Sequence, residues 1–314
     1  MKSLKPGSNL PGIVIIILLT VFGCSRGDYH DRPSGSIIAW GWDGDGQVSN
    51  VPEGDDFIEV SVGNRHSLAL RSDGSIVSWG RDSGGQVSKT PEGNDFVAIS
   101  AGHDFSVALR ADGTIETWGW DVEKLGRGRF RTNDIVAISA GFNTILALRE
   151  NGTISVVGGD FNDRLQNIQV QEAPKGSGFI SISAGRTHSL ALREDGTIVA
   201  WGNDLRGSVN DTPQEIDFTA VAAGARHSLA LRDDGTIAAW GWNLSGELDD
   251  TPMTGGFTQL AVGYTHSLAL HENGMISAWG WDRSEFGQIK NVPVDGGYVS
   301  IAAGDFHNLA IKQN

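Results

Sequence analysis

Short runs of apolar and small residues recur along this chain with the same punctuation each time. In the clearest copy, Ser181–Gly202, two runs, His188–Glu194 and Thr197–Trp201, flank Asp195-Gly196. Asp-Gly or Asn-Gly between two such runs is a hairpin signal, because a type I′ turn needs positive φ at both central residues. Six copies carry it: Asp73-Gly74, Asp112-Gly113, Asn151-Gly152, Asp195-Gly196, Asp234-Gly235 and Asn273-Gly274. A two-residue turn would pair Leu192 with Val199 and Leu190 with Trp201, and set Ala191 opposite Ala200 on the other side. Such a hairpin is large on one face and small on the other, polar on neither, and needs cover on both. A third run, Phe179–Ala184, precedes it and ends at Gly185; its counterparts start at Phe57, Phe96, Ile135, Phe218, Phe257 and Tyr298. Small residues before a glycine suit a crowded point where many strands converge, so this run is read as the innermost strand.

Counted from the residue after the turn, the copies begin at Ser36, Ser75, Thr114, Thr153, Thr197, Thr236 and Met275. Five are 39 residues long, the fourth is 44 and the last 40. A period near 40 with three or four short antiparallel strands reads as propeller blades. The expectation is an all-β, seven-bladed propeller over residues 36–314. The first copy opens on an outer strand, Ile37–Trp40, without an inner one, and the last closes on His307–Lys312 without an outer one. Pairing of the two in one blade would close the ring. Strand parity puts the end of each outer strand on the side of the Ala-Gly loops, so the following connection must descend the blade's edge. A short fourth strand near Gln47–Ser49 is expected to do this and to blunt the edge.

The pattern AG-x-x-HSLAL-x-x-DG-x-I-x-x-WG resembles the regulator-of-chromosome-condensation repeat over residues 36–314. That resemblance implies a seven-bladed propeller. The blades are shorter than in the eukaryotic founder and similar to those of secreted bacterial β-lactamase-inhibitor propellers. This implies about three main strands per blade and binding through aromatic-rich loops of one face. The fourth copy departs from the pattern, with Val157 in place of tryptophan and five extra residues around Gln166–Gly178.

The N-terminus reads as a targeting segment. Lys2 and Lys5 precede an apolar run of ten, Ile13–Phe22, too short for a spanning helix. The run ends in Val21-Phe22-Gly23-Cys24, which resembles a bacterial lipoprotein signal cleaved before Cys24 with lipid on its thiol. The expected organisation is a signal peptide over 1–23, a lipidated tether over 24–35 and the propeller beyond. Ser25 after the cysteine favours the outer membrane where the host has one. Without residues 1–23 the chain has 22 Lys and Arg against 38 Asp and Glu, a formal charge of −16. Such a balance excludes nucleic acid as the expected partner, since phosphate backbones are bound by Lys and Arg. The lone cysteine leaves burial and strand pairing to hold the ring.

Candidate chemistry narrows the function further. His66, His188, His227, His266 and His307 recur at one position on different blades. They read as structural, bonded to nearby backbone, and no metal or cofactor is expected. His-Ser pairs such as His188-Ser189 point to opposite strand faces and make no nucleophile, so no catalytic residue is assigned. Trp40, Trp79, Trp118, Trp201, Trp240 and Trp279 are expected on the large face of the hairpin. Trp42, Trp120, Trp242 and Trp281 follow two residues later, on the Ala-Gly-loop side. Those loops carry the residues that vary most between copies. The partner-binding candidates are Arg65, Asp104, Phe142, Asn143, Arg186, Arg226, Tyr264 and Phe306 together with the four later tryptophans. The reading is an exported, membrane-anchored, non-catalytic scaffold that binds a protein of unknown identity. The alternative is a glycan-binding or enzymatic propeller with a site at the mouth of the ring.

Overall fold

The computed structural model describes residues 32–122, 133–158, 164–282 and 286–314; Cys24 and the targeting segment lie outside the described residues. Seven three-stranded antiparallel sheets make up the fold. Blade 1 consists of an inner strand Phe57–Val62, a middle strand His66–Arg71 and an outer strand Ile76–Gly80. Blades 2 to 6 repeat that order over 96–119, 135–158, 179–202, 218–241 and 257–280. Blade 7 takes Tyr298–Ala303 and His307–Lys312 from the end of the chain and Ser36–Gly41 from its beginning, with Ile38 opposite Ala310. Among the described residues no helix is long and apolar enough to cross a membrane.

The hairpin differs from the expected one by a single residue. Gly196 alone takes positive φ (+82°), and Arg193 N–H and Thr197 O pair at 2.9 Å across a three-residue turn. The Asp195 carboxylate selects this geometry by accepting both the backbone N–H and the hydroxyl of Thr197, at 3.0 and 2.7 Å. Pairing therefore slips by one, to Leu190 with Ala200 and Ala191 with Val199. A one-residue slip exchanges the faces of a strand, so Trp201 stands with Ala191 rather than with Leu190.

That slip sets the packing between blades. Leu190, Leu192 and Ile198 of blade 4 press against Ala230, Ala238 and Trp240 of blade 5. Leu146 and Leu148 of blade 3 meet Ala191 and Trp201 in the same way. Leu309 and Ile311 of blade 7 meet Ala69 and Trp79 of blade 1. The alanine in every middle strand is the seat for aliphatic side chains of the preceding blade, mostly leucines, a large-into-small fit at interior packing density.

No fourth strand forms at Gln47–Ser49. The connection winds into a turn, with Asn50 N–H bonded to Gly46 O at 3.1 Å, and Asp43 Oδ1 accepts from Val48 and Ser49 N–H. Its purpose is visible in the next blade. The Gln47 carbonyl accepts the indole N–H of Trp79 at 2.9 Å, and Gln86 does the same for Trp118. The extra residues before blade 4 include a helix, Arg164–Gln171, that delivers Gln169 O to Trp201 at 2.9 Å. Trp279 has no acceptor for its indole N–H among the described residues. Trp201→Phe should therefore lower stability by about 1 kcal/mol more than Trp279→Phe, read as urea midpoints of the two variants.

The five histidines are buried, and each reaches a side chain of the next blade, His66 meeting the backbone of Phe105 as well. His188 Nε2 lies 2.7 Å from Ser228 Oγ, His227 Nε2 2.8 Å from Ser267 Oγ and His266 Nε2 2.7 Å from Asn308 Oδ1. His307 reaches Ser67 at 2.8 Å, from the last blade to the first. Burial pushes His66 and His188 down to about 4 and His227 and His307 down to about 3, and lowers His266. Unfolded, these side chains titrate near ~6.5. Between that value and the native one, only the unfolded chain takes up the protons, so stability is full above pH ~6.5 and falls as pH drops toward 4. The urea midpoint at pH 5 should lie below that at pH 7, and His188→Gln with His227→Gln should flatten the difference.

Candidate functional site

The Ala-Gly loops converge on the propeller axis. A Cβ placed on any of Gly63, Gly102, Gly141, Gly185, Gly224, Gly263 or Gly304 would meet the carbonyl oxygen of the next glycine at 2.4 to 2.8 Å, Gly304 meeting Gly63. None of the seven has positive φ. Space, not backbone conformation, requires glycine here. Hydrogen bonds bind the loops to one another: His103 N–H to Gly141 O at 3.2 Å, Arg186 N–H to Gly224 O at 3.1 Å and Ala225 N–H to Gly263 O at 3.3 Å. A narrow cavity of about 70 Å³ opens at the centre, lined by these glycines with Asn64, His103, Phe142, Arg186 and Asp305.

On this floor the residues after each glycine carry the loop side chains, of which Arg65, Phe142, Arg186, Arg226, Tyr264 and Phe306 are half-buried and Ala225 and Thr265 buried. The residue after each outer strand joins them, because Trp42 N–H bonds Phe306 O, Trp120 N–H bonds Asp104 O and Trp242 N–H bonds Arg226 O. The parity expectation for Trp42, Trp120, Trp242 and Trp281 is met, and the structure divides the four. Trp42 and Trp242 are half-buried beneath arginines, with Arg65 Cζ 4.7 Å from the Trp42 ring and Arg226 Cζ 4.7 Å from the Trp242 ring. Trp120 and Trp281 are exposed, at 56% and 39%.

The candidates of the loops form one contact chain. Arg186 Cζ sits 4.1 Å from the Phe142 ring and 5.4 Å from that of Tyr264. Arg226 flanks Tyr264 as well, at 5.4 Å, and donates to its hydroxyl at 3.2 Å. Tyr264 stacks with Phe306 at 6.4 Å, and Phe306 meets Trp42 edge-on at 6.2 Å. Asn143 is half-buried beside Phe142.

Asp104 belongs to a polar cluster near the axis that joins the contact chain through His103, whose ring lies 4.2 Å from that of Phe142. His103 Nδ1 donates to Asp104 at 2.7 Å, and its Nε2 accepts from the Asn64 side chain at 2.8 Å. The bond from His103 holds the Asp104 carboxyl below the ordinary carboxylate range. Asp305 lies 3.7 Å from His103, and burial pushes its carboxyl up.

Sequence reasoning missed two members of the patch. Arg206 reaches the site from a connection, with φ +53° and its guanidinium 5.1 Å from Trp242. Phe286 packs on Trp42 and Phe306, at 6.1 and 5.6 Å. Both come from the turns between blades, where no repeat position marked them. Gly185→Ala, which drives a Cβ to 2.4 Å from Gly224 O, should cost about 1–3 kcal/mol, measured by urea unfolding.

Comparison with known proteins places this architecture. Residues 57–86, 179–208, 218–247 and 257–288 match the family model of the regulator of chromosome condensation (RCC1) repeat. Each match runs from an inner strand to the turn before the next blade, and in three of the four that turn gives a carbonyl to the next tryptophan. No curated protein matches the sequence. Among solved structures, Prp20p of Saccharomyces cerevisiae, described with its binding to Gsp1p and histones, is 19% identical with a TM-score of 0.70, covering 92% of this chain and 95% of that one. Yeast RCC1 (Prp20) with Kap60 bound is 18% identical at TM-score 0.70, covering 100% and 97%. The ectodomain of the Physcomitrella patens receptor kinase CR4 is 21% identical at TM-score 0.64, covering 79% and 68%. At these identities the likeness shows the fold.

Proposed function

We propose that this propeller of RCC1-type repeats is an exported, membrane-anchored, non-catalytic scaffold that binds a protein through its Ala-Gly-loop face. The observation that carries the reading is the continuous run of arginines and aromatic rings from Arg206 and Trp242 through Arg226 and Tyr264 to Phe306, Trp42 and Arg65. Arginine, tyrosine and tryptophan dominate the energetics of protein interfaces. Here they stand on a floor that cannot yield, which lowers the ordering cost of binding. The yeast neighbours, as described, bind the proteins Gsp1p, histones and Kap60.

Export and anchoring rest on the sequence of residues 1–24. The described start of the chain supports an arrangement that suits them. Arg32 bonds Glu59 Oε2 at 2.9 Å and Val97 O at 3.3 Å, near the beginnings of two inner strands. The chain thus enters the propeller on the face opposite the Ala-Gly loops. A lipid on Cys24 holds that opposite face toward the membrane and turns the arginine–aromatic face toward the aqueous space.

The test is capture from envelope extracts by the full chain and by its Arg226→Ala/Tyr264→Ala variant. One protein retained by the first and released by the folded second supports the reading; equal retention contradicts it. No captured protein at all turns the assignment toward a glycan ligand. Cys24→Ala should move the chain from the membrane pellet to the soluble fraction, and an unchanged distribution would remove the anchor.

A further inference from the structure

We infer that the partner meets this face with carboxylates: Arg186, Arg206 and Arg226 form a receptor for acidic side chains of a protein. The inference rests on the protein-binding reading and specifies its partner.

Arginines stack on rings on both faces of the propeller, and the difference lies in how many of them also have a carboxylate. On the face of the Asp-Gly turns, Arg71 is matched by Asp56, Arg110 by Asp95, Arg149 by Asp134, Arg232 by Asp217 and Lys312 by Asp295. On the Ala-Gly-loop face Arg65 is held by Asp45 at 3.6 Å, and Asp305, beside Arg186 at the central cavity, feels its charge, but none of Arg186, Arg206 and Arg226 has a carboxylate within ion-pair distance among the described residues. This occurs in a chain of formal charge −14, where a matching carboxylate is easily supplied. The three lean on rings instead. Arg186 spans from Phe142 to Tyr264 across blade 5, whose loop carries the small Ala225 at that position; Arg226 and Arg206 both approach Trp242. Stacking engages the flat face of a guanidinium and leaves its N–H edge for a planar acceptor, which a carboxylate matches with two parallel bonds. Side chains already fixed by stacking lose little freedom on binding.

The chemistry commits to a protein rather than to the other anions. Aromatic rings between the cations suit a loop in which acidic and apolar side chains alternate, whereas a phosphate array is matched by unbroken positive charge. Arg32 places the start of the propeller on the opposite face, away from this patch, so lipid headgroups are not what it meets.

The test uses the full chain in detergent against immobilised poly-L-glutamate, heparin and vesicles of phosphatidylglycerol. The expected result is retention on poly-L-glutamate that weakens between 50 and 300 mM salt, as a screened charge contact does at roughly these strengths. Arg186→Gln/Arg226→Gln should weaken it by about tenfold or more. Arg206→Gln, at an exposed turn, should weaken it too and serves where the double variant does not fold. Equal binding by the folded variants, or retention on heparin or vesicles alone, overturns the inference. A protein partner released by Tyr264→Ala but held by Arg186→Gln/Arg226→Gln also overturns it, while leaving the protein-binding reading intact.

Discussion

Seven glycines at the axis are the constraint from which the rest of the structure follows. Each occupies a place where the next loop's carbonyl would lie within 2.8 Å of a Cβ. The inner strands can approach one another this closely only without side chains. The approach brings loop N–H groups onto neighbouring carbonyls, and it brings serines of one inner strand onto the next. Ser61, Ser100, Ser139 and Ser183 each accept a backbone N–H from the following blade at 2.9 Å. Adjacent loops become close enough for an arginine of one blade to stack on the ring of another.

Outward from the axis, one rule is used repeatedly: each blade finishes its neighbour. Leucines fill the space over the next blade's alanine, histidines bond the next blade's serine, and the connecting turn gives a carbonyl to the next blade's tryptophan. Such nearest-neighbour terms make a repeat fold cooperative although each sheet has only three strands. The meeting of Ser36–Gly41 with His307–Lys312 gives the terminal blade the same partners as the others.

Much of this was legible in the sequence because it repeats. A single alanine or glycine says little, but Ala191 and Gly185 recur in every copy, and a position held seven times reports a shared environment. The register was not legible, because Asp-Gly serves both a two-residue and a three-residue turn. The choice lies with the bond from Asp195 to Thr197, a side-chain detail that moved Trp201 to the other face. The fourth strand failed for a related reason: Gly46-Gln47 resembles an edge segment, but its carbonyl has an indole N–H to satisfy. At the site, the loop residues were found because they vary between copies. Arg206 and Phe286 escaped because variation in a connection is expected whether or not it binds anything.

Function on this fold lies in the few side chains that the repeat does not dictate. The neighbours at 18–21% identity share the frame, and the stacked arginines over Phe142, Tyr264 and Trp242 stand on the loops that the repeat leaves free to vary between its own copies. Hydrogen exchange of the folded chain, with and without a captured partner, tests the central claim most directly. The account predicts that added protection is confined to the segments around 42, 64–65, 142–143, 186–187, 206, 225–226, 242, 264–265 and 305–306. Protection centred on the Asp-Gly turns of the opposite face would contradict it.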